Sequence, residues 1–114
     1  MKAMLCKEYG PPESLVFEEV ESRPLDKDQV RIAVHAAGIN FPDTLIIHGQ
    51  YQFKPVLPFS PGAEAAGEVI EIGADVSKVK VGDRVAWFSV SGGYAEEIIA
   101  VESEVTPISD NMDY

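Results

Sequence analysis

Glycine and proline divide this chain into short segments, and the apolar residues of those segments are mostly β-branched. The 114 residues include 13 Val and 9 Ile against 5 Leu, together with nine Gly and eight Pro. β-branched side chains favour strands over helices, whereas Gly and Pro mark turns and the ends of elements. The sequence therefore predicts a mostly β domain with many short strands and tight turns.

Hydrophobic alternation and turn residues predict six strands, over 1–8, 15–20, 30–35, 65–72, 85–90 and 94–101. In the third strand, Val30, Ile32 and Val34 alternate with Arg31, Ala33 and His35, which predicts a half-buried strand with His35 on its polar face. One short helix is predicted over 42–49, because Pro42 suits a first helical position and Gly49 suits an end. Short strands at this spacing favour one barrel-like sheet with a short helix.

The composition is that of a globular domain, with 46% hydrophobic and 25% charged residues. The sequence contains no apolar run long enough to span a membrane and no signal-peptide pattern at its start. The single Cys6 excludes an internal disulfide framework and is expected to be a small core side chain. We therefore expect one domain over residues 1–114, in the cytoplasm.

The chain is strongly acidic, with nine Lys and Arg against nineteen Asp and Glu and a net charge of −10. Such a field repels polyanions, so nucleic acid and anionic membranes are excluded as expected partners. No Lys or Arg follows Arg84, although six acidic residues do. A phosphate-rich cofactor would have to find its cations outside this C-terminal stretch.

Two polar segments are candidates for chemistry. Asn40 and Asp43 follow an apolar strand directly, and they either cap the backbone of the short helix or belong to a site. Local chemistry favours capping. Glu64 lies among small residues, and composition alone favours a solvated glutamate at the start of a strand. Asp83 is expected to stabilise a tight turn.

Other candidates are weaker. His35 and His48 lack the spacing and companions of a zinc motif, so an exposed or capping role is expected. Trp87 and Phe88 are expected to pack in the core or at its rim. The sequence contains neither a Gly-x-Gly-x-x-Gly nor a Gly-x-Ser-x-Gly pattern, and no P-loop.

Taken in order, five segments resemble the quinone-oxidoreductase type (zeta-crystallin-like) of the medium-chain dehydrogenase/reductase superfamily. The segment 59–67 resembles the family motif Pro-Gly-x-Glu-x-x-Gly, and the segment 34–43 resembles the one that opens the active site. The other three segments are 69–73, 79–85 and 93–96. The resemblance covers essentially the whole chain.

The resemblance implies a GroES-like, partly open β-barrel that packs against a Rossmann domain. Enzymes of this type bind NADPH and transfer a hydride to a quinone or an α,β-unsaturated carbonyl. Residues 1–114 would be the N-terminal catalytic domain, without the Rossmann domain and the closing C-terminal segments. This piece alone is expected to be inactive, and the parent enzyme is expected to be a homodimer or a larger homo-oligomer.

The resemblance also implies site residues. Zinc-dependent relatives carry Cys and His at the positions of Asn40 and Ala63, which places this chain in the zinc-free branch. Asn40 would orient the substrate or the nicotinamide, with Asp43 as its orienter. Tyr51 would supply a hydroxyl donor and an aromatic wall. The pocket would also be lined by Phe41 and Phe53.

Two other functions remain open on the sequence. A free-standing GroES-like co-chaperonin fits the length, although the chain has no long apolar loop for docking a chaperonin. A degenerate domain kept for protein interaction is the other alternative.

Overall fold

The computed structural model describes residues 1–114, which form seven strands, one α-helix and two short 3-10 helices. The strands are β1 (Lys2–Leu5), β2 (Val16–Glu19), β3 (Gln29–Ala37), β4 (Glu64–Ile72), β5 (Arg84–Phe88), β6 (Glu97–Val101) and β7 (Val105–Pro107). Helix α1 spans Phe41–Ile47, and the 3-10 helices span Pro12–Ser14 and Glu102–Glu104. The prediction of a mostly β, partly open barrel with one short helix is confirmed.

Five strands form the main sheet in the order β6-β3-β4-β5-β7, and β1 and β2 form a separate two-stranded sheet. All neighbouring strands are antiparallel. The register of β3 against β4 shifts twice, between Arg31 and Ile32 and between Val34 and Ala36. Such irregularities bend and twist strands, which gives the sheet its curl.

Two apolar clusters stabilise the domain. The larger lies inside the curled sheet and comprises Val30, Ile32, Ala65, Val69, Val79, Val85, Trp87, Ile98, Ala100 and Val105. The smaller comprises Cys6, Ile46, Ile47 and Phe59, and it attaches helix α1 to the N-terminal strand. Cys6 is fully buried, as predicted, and burial raises the pKa of its thiol. The smaller cluster therefore fixes the position of the helix.

Local chemistry predicted the helix and the turns well. Helix α1 begins one residue before Pro42 and ends two residues before Gly49, whose φ of +71° suits glycine. His48 caps the end of the helix, because its Nδ1 donates to the Thr44 carbonyl oxygen at 2.7 Å. Asp83 accepts the Lys80 N–H at 3.0 Å and so stabilises the predicted turn.

Arg31 alternates with the apolar residues of β3, yet its side chain is buried. It is only 8% exposed, and its Nε donates to Glu71 Oε1 at 2.8 Å. A second carboxylate, that of Glu97, lies 3.6 Å from the guanidinium, and the Arg23 carbonyl accepts a further hydrogen bond. The guanidinium is buried because three acceptors surround it.

The strand boundaries also differ from the prediction, most clearly in the first and sixth predicted strands. The first strand ends at Leu5, after which Cys6 forms an isolated bridge with Phe59. The sixth begins at Glu97, because Tyr94 instead joins the loop before β4. Strand β7 was not predicted. No helix has the length and apolar character needed to cross a membrane.

Candidate functional site

A cavity of about 480 Å³ lies beside the N-terminal half of helix α1. Its wall brings together four of the five predicted site residues, which are Asn40, Asp43, Tyr51 and Phe53. Phe41 is not among the lining residues and is 74% exposed. The remaining wall comes from the start of β4 and the end of β5, including Glu64 and Phe88.

Asn40 and Asp43 are joined through the backbone at the start of the helix. Asn40 has an extended backbone, with φ of −130° and ψ of 159°, and it immediately precedes the first helical residue. Its N–H donates to Asp43 Oδ2 at 2.9 Å. Asp43 thus caps the start of the helix, as local chemistry predicted. Asn40 itself stays exposed at the cavity wall, so capping and a site role are compatible.

Asp43 is a buried carboxylate with an uneven set of partners. It is 4% exposed, and its Oδ2 accepts a second hydrogen bond from the Tyr94 hydroxyl at 2.7 Å. Its Oδ1 is buried without any hydrogen-bond partner. Burial, followed by the hydrogen bond to Asp43, raises the pKa of the Tyr94 hydroxyl well above its ordinary value. The carboxylate therefore depends on two donors that share one oxygen.

Tyr94 was not predicted as a functional residue. It lies on the connection between β5 and β6, and its N–H donates to the Pro61 carbonyl at 2.9 Å. Its ring packs against Gly62, which has a φ of +98° and where a Cβ would lie 2.5 Å from the ring. The pair Gly92-Gly93 just before Tyr94 is the local signal that the chain makes a close approach here.

The charges at the cavity are negative. Asp43 and Glu64 line it, and no Lys or Arg does. Glu64 is the exposed first residue of β4, as predicted. We therefore expect the cavity to disfavour anionic ligands at this face.

The residues at the cavity are a poor set of zinc ligands. The two positions that the resemblance compares with zinc ligands hold Asn40, whose amide is a weak ligand, and Ala63, whose side chain has no donor atom. Nowhere in the chain do three His, Cys, Asp or Glu side chains converge. His35 is exposed, and its ring stacks on Tyr114 with centroids 4.3 Å apart.

The aromatic residues near the end of β5 divide between core and rim. Trp87 is 4% exposed and belongs to the larger apolar cluster, whereas Phe88 is 70% exposed and lines the cavity. This confirms the predicted core and rim packing. It also adds an aromatic side chain to the cavity.

Comparison with protein families and curated proteins finds consistent similarities. A family model described as the alcohol dehydrogenase GroES-like domain matches residues 26–110. The chain is 46% identical over 111 residues to quinone oxidoreductase-like protein 2 of Rattus norvegicus, and 40% identical over 116 residues to the quinone oxidoreductase of Homo sapiens. These alignments cover 97% and 100% of the chain but 31% and 35% of the relatives. The chain thus spans about a third of their length.

Solved structures give the same result. A quinone oxidoreductase of Pseudomonas syringae superimposes with a TM-score of 0.93 at 34% identity, over 98% of this chain and 34% of that one. The quinone oxidoreductase of Escherichia coli, solved in complex with NADPH, superimposes with a TM-score of 0.93 at 29% identity. That match covers 99% of this chain and 35% of the other.

Proposed function

Because the chain belongs to the alcohol dehydrogenase GroES-like domain family, we propose that it is the catalytic domain of an NADPH-dependent quinone oxidoreductase. The expected resemblance to quinone oxidoreductases is confirmed, and so is the GroES-like fold. The observation that carries the proposal is the cavity beside helix α1, where Asn40, Asp43 and Tyr51 meet. NADPH enters the proposal through the neighbour that was solved with it.

The proposed reaction converts a quinone, NADPH and a proton into a hydroquinone and NADP⁺, and an enone would accept the hydride similarly. When bound, NADPH supplies the hydride. Tyr51, Phe53 and Phe88 provide aromatic walls suited to a flat ring. The Asn40 amide can donate to a carbonyl oxygen of the acceptor or orient the nicotinamide.

We further propose that the reaction uses no zinc. Asn40 and Ala63 supply no strong ligand, so hydrogen bonds would polarise the carbonyl group. A quinone or an enone is electrophilic enough for hydrogen bonding to be sufficient. This is the property that distinguishes these acceptors from a simple ketone.

The remaining cofactor contacts are proposed to lie outside residues 1–114. The sequence holds no glycine-rich dinucleotide fingerprint, and the curated relatives are about three times as long. A Rossmann domain of the longer protein would bind the phosphates, and residues 1–114 alone would be inactive. We propose a cytoplasmic enzyme that is a homodimer or a larger homo-oligomer.

The first prediction concerns Asn40. In the full-length protein, Asn40→Ala is expected to lower kcat/KM for a benzoquinone about tenfold, because one hydrogen bond to the reacting carbonyl is lost. Loss of NADPH absorbance measures the rate. Asn111→Ala, at an exposed position outside the cavity, is the matched control and should leave the rate unchanged. An absence of NADPH-dependent quinone reduction in the wild-type protein would contradict the proposed function.

The second prediction concerns the charge of the acceptor. A sulfonated quinone is expected to show a KM about tenfold higher than a neutral quinone of similar size at low salt, since Asp43 and Glu64 line the cavity. The difference should shrink in 0.5 M salt (roughly a 4 Å screening length) and in Glu64→Gln. Equal KM values at low salt would show that these carboxylates do not select the acceptor.

A further inference from the structure

The Asp43 carboxylate accepts two hydrogen bonds, and one of them comes from the Tyr94 hydroxyl. Both of its hydrogen bonds go to Oδ2, one from the Asn40 N–H and one from the Tyr94 hydroxyl. Its Oδ1 is buried and unpaired. A buried carboxylate oxygen without a hydrogen bond destabilises the folded state. Because Asp43 has only two donors, the loss of either one removes half of the hydrogen bonds that stabilise it.

The backbone around Tyr94 is held in place by hydrogen bonds to the loop before β4. The Tyr94 N–H donates to the Pro61 carbonyl at 2.9 Å, and the Gly93 N–H donates to the Gly62 carbonyl at 3.0 Å. The ring lies where a side chain at position 62 would otherwise be, and only glycine leaves room for it. These contacts restrict the position of the Tyr94 side chain, whose hydroxyl donates to the Asp43 carboxylate.

We propose that Tyr94 is a positioning residue for the candidate site, which acts through Asp43 to fix the backbone of Asn40 at the cavity wall. Tyr94 does not itself line the cavity, whereas Asp43 and Asn40 do. The path consists of two hydrogen bonds of 2.7 Å and 2.9 Å that meet at Oδ2. It links the connection before β6 to the residue that precedes helix α1. The hydrogen-bonded link from Tyr94 to Asn40 does not depend on the proposed function, whereas its effect on catalysis rests on that function.

The test compares Tyr94→Phe with Tyr9→Phe in the full-length protein. Tyr9 is exposed and its hydroxyl does not contact Asp43, so Tyr9→Phe removes a tyrosine hydroxyl without touching the path and is the matched control. Hydrogen exchange of a peptide that covers Asn40 is expected to be about tenfold faster in Tyr94→Phe and unchanged in the control. For the quinone, kcat is expected to fall about tenfold, while KM stays within about twofold.

A second variant separates positioning from general destabilisation. In Asp43→Ala the added change Tyr94→Phe should produce no further fall in kcat, because Asp43→Ala already removes both hydrogen bonds of the path. Additive losses in kcat, or faster exchange over the whole domain in Tyr94→Phe, would overturn the proposal. So would exchange and kcat equal to those of the control. If the wild-type protein reduces no quinone, the proposed function fails, and the Asn40 exchange rate still decides whether the link exists.

The pH dependence of unfolding reports on the Tyr94 hydroxyl, whose pKa is raised first by burial and then by the hydrogen bond to Asp43. Because the native state raises the pKa of Tyr94, the unfolded state loses this proton first, above the ordinary tyrosine value of about 10. Stability from this group is complete below that pH and falls as the pH rises beyond it. Tyr94→Phe should therefore lose stability less steeply with pH above 10 than Tyr9→Phe. Equal slopes would contradict a carboxylate-bound hydroxyl.

Discussion

Replacing Gly67 with alanine is expected to destabilise the domain by about 3 kcal/mol, which lowers Tm by about 15 °C. Gly67 is buried within β4, between Val34 of β3 and Val85 of β5. A Cβ at this position would overlap the Ala33 carbonyl oxygen and approach the Ile32 side chain to 2.9 Å. Because the first obstacle is backbone, β3 and β4 would have to separate. Thermal or urea unfolding followed by circular dichroism measures the loss.

Gly82→Ala provides the matched control for this prediction. Gly82 has a φ of +96°, and a Cβ there would meet nothing within 4 Å. Its cost comes from backbone strain alone and is expected to be about 1 kcal/mol. If Gly67→Ala cost no more than Gly82→Ala, close approach of the two strands would not explain the glycine in β4.

The helix was predictable because its signals are local. Pro42 and Gly49 mark the two ends within a few residues of where the structure has them, and Asp43 caps the start as its position implied. The same holds for the Asp83 turn. Each of these features depends on neighbours in the sequence, which the residue pattern alone contains.

Arg31 and Tyr94 were not predictable because their partners are distant in the sequence. The carboxylates that hold Arg31 come from β4 and β6, which join β3 only once the sheet has its register. The Tyr94 hydroxyl meets a carboxylate 51 residues away. Hydrophobic alternation predicts a half-buried strand at Arg31 and a strand at Tyr94. It contains no information about the carboxylates that these side chains contact in the folded domain.

Only part of the candidate site could be predicted from the sequence, because the sequence does not show which direction each side chain faces. The resemblance placed Asn40, Asp43, Tyr51 and Phe53 together, and all four line one cavity. It also included Phe41, which the structure leaves exposed outside the cavity wall. Neighbouring residues at a helix start face different directions, so adjacency to Asn40 does not by itself place a side chain in the same pocket.

Replacing Asp43 has the largest expected effect on activity. In the full-length protein, Asp43→Ala is expected to lower kcat/KM for a benzoquinone about 100-fold. The start of helix α1 loses its cap, so Asn40 and the cavity wall that this part of the helix forms are both displaced, and small displacements of positioned groups are costly. The free energy of unfolding should fall by about 2 kcal/mol, mainly because the Tyr94 hydroxyl loses its partner. Removing the unpaired Oδ1 recovers part of the loss. Quinone kinetics and urea unfolding measure the two effects.

Asp43→Asn and Asp110→Ala distinguish the causes. Asparagine keeps an oxygen for the Asn40 N–H and the Tyr94 hydroxyl but has no charge, so it should retain more activity than alanine. Asp110 is exposed, and its side chain makes no hydrogen bond, so Asp110→Ala should change stability by less than about 0.5 kcal/mol. If asparagine were as harmful as alanine, the carboxylate charge would matter more than the two hydrogen bonds. Positioning of Asn40 would then not be the main role of Asp43.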